Sequence, residues 1–158
     1  MSVVNKSHNS GFSMIELIAV VVLLGILSIV ALGRFTDPDE FAARGFFDDT
    51  VAAVGFAQKL AISSGCDVRV SLAVASFQLL QSSTCTADDF ANPVANPANR
   101  SNVYQNSNIP AGFSLTAGTV TFNARGAREE ATSVFSLTDG STTYSFRVHV
   151  TTGLVEVL

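Results

Sequence analysis

Glu16 is the residue whose placement most demands chemistry, a carboxylate at the head of an apolar run that extends from Leu17 to Leu32. A charged side chain at membrane depth costs roughly 2.5–3.5 kcal/mol or more, so an acid there is functional by default and needs a partner. The nearest candidate is a freed amino group, whose charge would offset the carboxylate once both leave water. Other reactive groups are sparse. Cys66 and Cys85 are the two thiols, and they do not form a Cys-x-x-Cys pair; in an exported domain their natural chemistry is a single disulfide, stabilising by about 3 kcal/mol in the chain-entropy view. The two histidines are His8, upstream of the apolar run, and His149, on an alternating segment. A zinc site needs more ligands than these, so no metal is expected. Asp88-Asp89 and Glu129-Glu130 are adjacent pairs whose side chains diverge and do not share a proton. With no His beside a nucleophile motif and no Gly-rich phosphate loop, no catalytic residue, enzyme activity or cofactor is expected.

The elements that position these groups follow from periodicity. The run Leu17 to Leu32 falls a little short of the ~20 residues that span a bilayer, and Phe12 to Ile15 extend it, so it can cross one. Lys6 precedes it and Arg34, Asp37, Asp39 and Glu40 follow, so charge counting alone barely fixes its orientation. Asp37-Pro38-Asp39-Glu40 reads as a fresh helix start, with Asp37 as N-cap, Pro38 at the first helical position and Glu40 closing a capping box, which implies an interruption near Gly33. From Pro38 to Ser64, Phe46, Phe47, Ala53, Val54, Ala57, Leu60 and Ala61 share one face with Asp48, Ala52, Lys59 and Ser63 opposite, and Gly65 caps the end. That stripe predicts packing onto a sheet.

The remainder is β-like, with strands expected at Val68–Val74, Phe77–Gln81, Phe113–Thr116, Val120–Asn123, Ser133–Leu137, Thr143–Val150 and Leu154–Val157. Asp139-Gly140 and Thr152-Gly153 supply turns for an antiparallel meander of the last three strands. Folding the first two strands about Ala75-Ser76 sets Cys66 opposite Cys85. Residues 88–110, rich in Asn, Ala and Pro, read as an exposed loop, with weak pairing around Val103-Tyr104. The fold class is α+β, in one domain plus an anchor.

The segment Gly11-Phe12-Ser13-Met14-Ile15-Glu16 resembles the class III signal of type IV pilin-like proteins, a polar leader ending in Gly, then Phe, with Glu at the fifth place after the cut. The resemblance implies cleavage between Gly11 and Phe12 by a prepilin peptidase, N-methylation of Phe12, and an assembly role for Glu16, paired with the Phe12 ammonium of a neighbouring subunit. An ordinary secretory signal is the alternative, but its cleavage site lies after the apolar core, where Ala31-Leu32-Gly33-Arg34 is a poor match. Where many pilins carry Pro, this chain has Gly33. Phe47-Asp48-Asp49, Ala57 to Ile62, Ser64-Gly65-Cys66, Val120 to Gly126 and Thr152 to Val155 are similar to the GspH/FimT group of minor pilins and pseudopilins.

The organisation so implied is a leader at 1–11, a membrane and filament-core helix at 12–35, an amphipathic helix at 36–65 and a globular β domain at 66–158. The leader would face the cytoplasm and the domain the periplasm of a bacterial inner membrane, crossed once. Implied partners are the prepilin peptidase, the other pilins or pseudopilins of the same filament and an inner-membrane assembly platform. The expected machine is a mannose-sensitive haemagglutinin (MSHA) type pilus, with type II secretion and DNA uptake as alternatives. The net charge is −4, and loss of residues 1–11 makes it more negative, so nucleic acid is not an expected partner. DNA uptake would require exposed basic residues such as Arg100, Arg125, Arg128 or Arg147 to converge.

Overall fold

The computed structural model describes residues 13–32, 38–85, 89–130 and 134–158. Gly11, Phe12, the leader, the Gly33 interruption, the Asp37 cap and Asp88 lie outside them. The chain divides into two compact units, Met1–Asp37 and Pro38–Leu158. In the first, α1 spans Met14–Leu32. In the second, α2 (Pro38–Ser64) is followed by β1 (Val68–Ala73), β2 (Ser76–Gln81), β3 (Asn92–Pro93), β4 (Gln105–Asn106), β5 (Ser114–Leu115), β6 (Gly118–Phe122), β7 (Val134–Thr138), β8 (Thr143–Val148) and β9 (Val155–Val157).

Two antiparallel sheets share α2 as their backing. The first has the order β3-β2-β1-β6, with β4 also paired to β2, and the second runs β5-β7-β8-β9. Adjacent helix residues serve different sheets. Phe46 packs on Phe77 of β2 with ring centroids 5.9 Å apart, whereas Phe47 meets Tyr144 and Phe146 of β8 at 5.6 and 5.9 Å. The helix buries the expected stripe, together with Ala43 and Thr50, while Leu60 is only half-buried. Thr50 is tolerated there because its hydroxyl donates to the Phe46 carbonyl at 2.8 Å, leaving no unpaired polar atom. Gly65 closes the helix through a 3.0 Å bond from its amide to Ala61 O. The inward residues Val68, Val70, Leu79, Val120, Phe122, Phe135, Leu137, Phe146 and Val148 complete the core.

Two expectations need correction. The β1–β2 hairpin pairs Ala73 with Ser76 and Val70 with Leu79, so it turns at Val74-Ala75 and not at Ala75-Ser76. The Val74 carbonyl is held by the Leu115 amide at 2.8 Å, a bond from the second sheet that local sequence does not signal. Extending this register places residue 83, not residue 85, opposite Cys66; the turn after Ser82 then brings Cys85 back to a Cα–Cα distance of 4.3 Å, and the two cysteines form a disulfide.

Residues 89–110 are likewise more than an exposed loop. Phe90, Val94 and Tyr104 are buried, and the segment folds against β2 through bonds from Val94 N to Leu79 O and from Leu79 N to Tyr104 O, both 3.0 Å. Phe90 takes a positive φ of 43° and lies beneath the Arg69 guanidinium, whose carbon sits 3.6 Å from the ring centroid. That stacking offsets the backbone cost, and Arg69 Nε also donates to Thr121 Oγ1 at 3.0 Å.

Candidate filament-assembly site

The site begins with α1. Ser13 is its N-cap, since the Glu16 and Leu17 amides both donate to the Ser13 carbonyl, at 3.0 and 3.2 Å. Glu16 therefore occupies the third helical position, and Ser13-x-x-Glu16 has the form of a capping box. A carboxylate in the first turn is also favoured by the positive end of the helix dipole. This local role is a signal the sequence reading missed.

Every described apolar side chain of α1 is exposed, from Met14 at 83 % to Leu27 at 63 %. At about 1.5 Å per residue, 19 residues reach roughly 28 Å. Among the described residues no helix is long and apolar enough to cross a membrane; the expected span of 12–35 extends beyond the described residues at both ends. Ser28, in the C-terminal half of the helix, satisfies its hydroxyl by donating to Leu24 O at 2.7 Å.

The other residues singled out by sequence have structural engagements. The Asp89 carboxylate accepts the Ser83 amide at 2.8 Å, and bonding at Ser83 holds it below the usual carboxylate range. Glu130 accepts the Thr121 amide at 2.7 Å. His149 Nε2 lies 3.0 Å from Glu156, which Arg147 also approaches at 3.8 Å. Among the described residues no three His, Cys, Asp or Glu are grouped to hold a metal. A half-open cavity of about 130 Å³ beside β2 and β4 is lined by Ser76, Phe77, Gln78, Gln105, Asn106 and Ser107, none of them charged. Of the arginines that DNA uptake would draw on, Arg128 is buried and Arg147 faces Glu156, while Arg100 and Arg125 are exposed.

A junction at Gln58 adds polar ties from α2 to the apolar packing that joins it to both sheets. The Gln58 amide nitrogen donates to Gly126 O at 3.0 Å and to Thr152 O at 2.7 Å, so one helix side chain ties the turn after β6 to the turn after β8. The Arg128 amide adds a third tie, donating to Val150 O at 3.0 Å.

Residues 6–32 match the prokaryotic N-terminal methylation motif. The crystal structure of the type IV minor pilin FimU from Pseudomonas aeruginosa is similar to this chain with a TM-score of 0.55 at 12 % identity, over 75 % of this chain and 90 % of that one. The chain carries the N-terminal methylation motif and has a type IV pilin-like fold. The minor pseudopilin EpsH from the type 2 secretion system of Vibrio cholerae gives a TM-score of 0.53 at 18 % identity, over 77 % and 97 % of the two chains. No curated protein matches the sequence. In this chain α2 and its two sheets form one compact unit with its own core, while every described apolar side chain of α1 is exposed.

Proposed function

We propose that this pilin-like chain is a minor subunit of a type IV pilus of the MSHA type, held in the bacterial inner membrane by α1 until it is drawn into a filament. Prepilin peptidase cuts between Gly11 and Phe12 and methylates Phe12, the assembly platform extracts the subunit, and Glu16 pairs with the Phe12 ammonium of a neighbouring subunit. The observation that carries this reading is the methylation motif running directly into α1, an apolar helix with one acid in its first turn and no partner for its apolar surface among the described residues. Such a surface is stable only in lipid or among other helices. Glu16 is neutralised when a second charge arrives, so a correctly stacked subunit avoids the burial cost that a misplaced one retains.

The second reading, a minor pseudopilin of type II secretion, is favoured by the likeness to EpsH, which this chain matches over nearly all of that protein's length. Crosslinking in the native cells followed by mass spectrometry separates the two. Major and minor pilins of a surface fibre as neighbours support the pilus; pseudopilins and an outer-membrane secretion gate support export. Recovery of neither, or an intact mass that retains residues 1–11, overturns both.

A further inference from the structure

Arg128 presents a problem that filament assembly does not solve. It is 3 % exposed, and none of its three guanidinium nitrogens has a hydrogen-bond partner. Strand geometry explains why it points inward. Arg128 bridges Phe122 in an antiparallel pair, and paired residues place their side chains on the same side of a sheet. Phe122 faces the core with no exposed surface, so Arg128 enters on that side, two residues beyond Gly126, whose carbonyl Gln58 holds. A guanidinium has five donors and cannot shed its proton near neutrality, so an unpaired one is among the costliest groups to bury. Burial pushes its pKa down, and Glu130 opposes that shift from a distance. The Glu130 carboxylate is already committed to the Thr121 amide and makes no bond to Arg128.

We propose that Arg128 is the cation of a buried site for a small inorganic oxyanion such as phosphate or sulfate. The chemistry suits the group: a planar fork of N–H donors matches two oxygens of one anion, and the charges cancel where water is excluded. Enclosure favours a free anion over a neighbouring subunit's carboxylate, because a side chain tethered to another backbone would have to part the junction that Gln58 Nε2 and the Arg128 amide hold closed. An anion of a few atoms can be trapped as the two sheets close on α2. The site would lock together the turns after β6 and β8, and stability would then follow anion concentration by mass action.

The test uses the full chain in detergent micelles, with inorganic phosphate as the probe at constant pH and ionic strength. Equilibrium dialysis against radiolabelled phosphate should retain about one anion per chain at saturation, and the unfolding midpoint should rise saturably by about 3 °C or more. Arg128→Met, which keeps the stem and removes the charge, should lose both responses and be at least as stable as the parent without phosphate. Arg128→Lys should bind more weakly, because it lacks the fork. No retained phosphate in the parent chain overturns the proposal whether or not the variants fold. Equal retention by Arg128→Met would mean adventitious ions only. A response to phosphate absent from the isolated chain, with Arg128 protected only inside filaments, would assign the guanidinium to a neighbour's carboxylate and likewise overturn it.

Discussion

Replacing Gly153 with Ala should damage this fold far more than the loss of one turn glycine suggests. Gly153 closes the β8–β9 turn at a φ of +65°, and its amide donates to His149 O at 2.7 Å. A left-handed backbone costs a residue with a Cβ about 1–2 kcal/mol. The added carbon would also collide with Gly126 O and the Gln58 amide nitrogen, and would press on the Phe122 ring at 3.0 Å. Relief requires both the Gly126 carbonyl and the Gln58 amide to move, which breaks both Gln58 bonds, each contributing roughly 0.5–1.5 kcal/mol. The sum is about 2–5 kcal/mol, and at about 4 °C per kcal/mol for a unit of this size the midpoint should fall by about 8–20 °C. Gly140→Ala is the control, since Gly140 also has a positive φ, of +93°, but a Cβ there meets nothing within 4 Å. It should cost only the backbone term, about 4–8 °C. Thermal melts of the full chain in micelles, followed by circular dichroism, make the comparison. Equal losses for the two variants would refute the claim that the Gln58 junction helps hold the sheets to the helix.

Glu16→Ala should leave the folded domain intact and sharply reduce incorporation into filaments, measured by immunoblot of sheared fibres; unchanged filament number and composition would sink the assembly role of that carboxylate. Cys66→Ser with Cys85→Ser should lower stability by about 3 kcal/mol, read from urea unfolding, and should make the chain insensitive to reductant. Asp139 accepts the Ser141 and Thr142 amides at 2.8 and 2.6 Å, and these bonds hold its carboxyl below the usual range, with Thr142 the larger cause. A depressed folded-state pKa contributes stability above the unfolded value near 4, and that stability is lost as pH falls through the folded value. Asp139→Asn should therefore flatten the acid limb of the stability profile below about pH 4; an unchanged limb would show that the turn does not use the charge.

Much of the second unit was legible because its periodicities are strong. The α2 stripe from Phe46 to Ala61 repeats at helical spacing, and Tyr144, Phe146 and Val148 alternate with Ser145, Arg147 and His149, so neither could be mistaken for the other period. In residues 89–110 the pairing around Val103-Tyr104 was legible, but the burial was missed because it rests on three well-separated side chains, Phe90, Val94 and Tyr104, which create no local pattern. The β1–β2 register was missed for a related reason: its turn is fixed partly by the bond from Leu115 to the Val74 carbonyl, some forty positions downstream. At the candidate site, the position of Glu16 within α1 could be read from the run itself, and its capping-box relation to Ser13 was equally readable but hidden behind the charge argument.

The sequence alone therefore determined the local elements and their order. An apolar helix headed by one acid, an amphipathic helix started by Pro38 and stopped by Gly65, and an antiparallel meander with Gly-containing turns are all consequences of interactions within a few residues. Tertiary structure decided what joins distant segments: that Phe46 and Phe47 serve opposite sheets, that Gln58 ties together turns lying 68 and 94 positions away, and that Arg128 ends up buried instead of in a surface cluster. Burial and partnership depend on which segments close over a side chain. An Arg two residues past a turn glycine looks solvated until the folded chain closes over it.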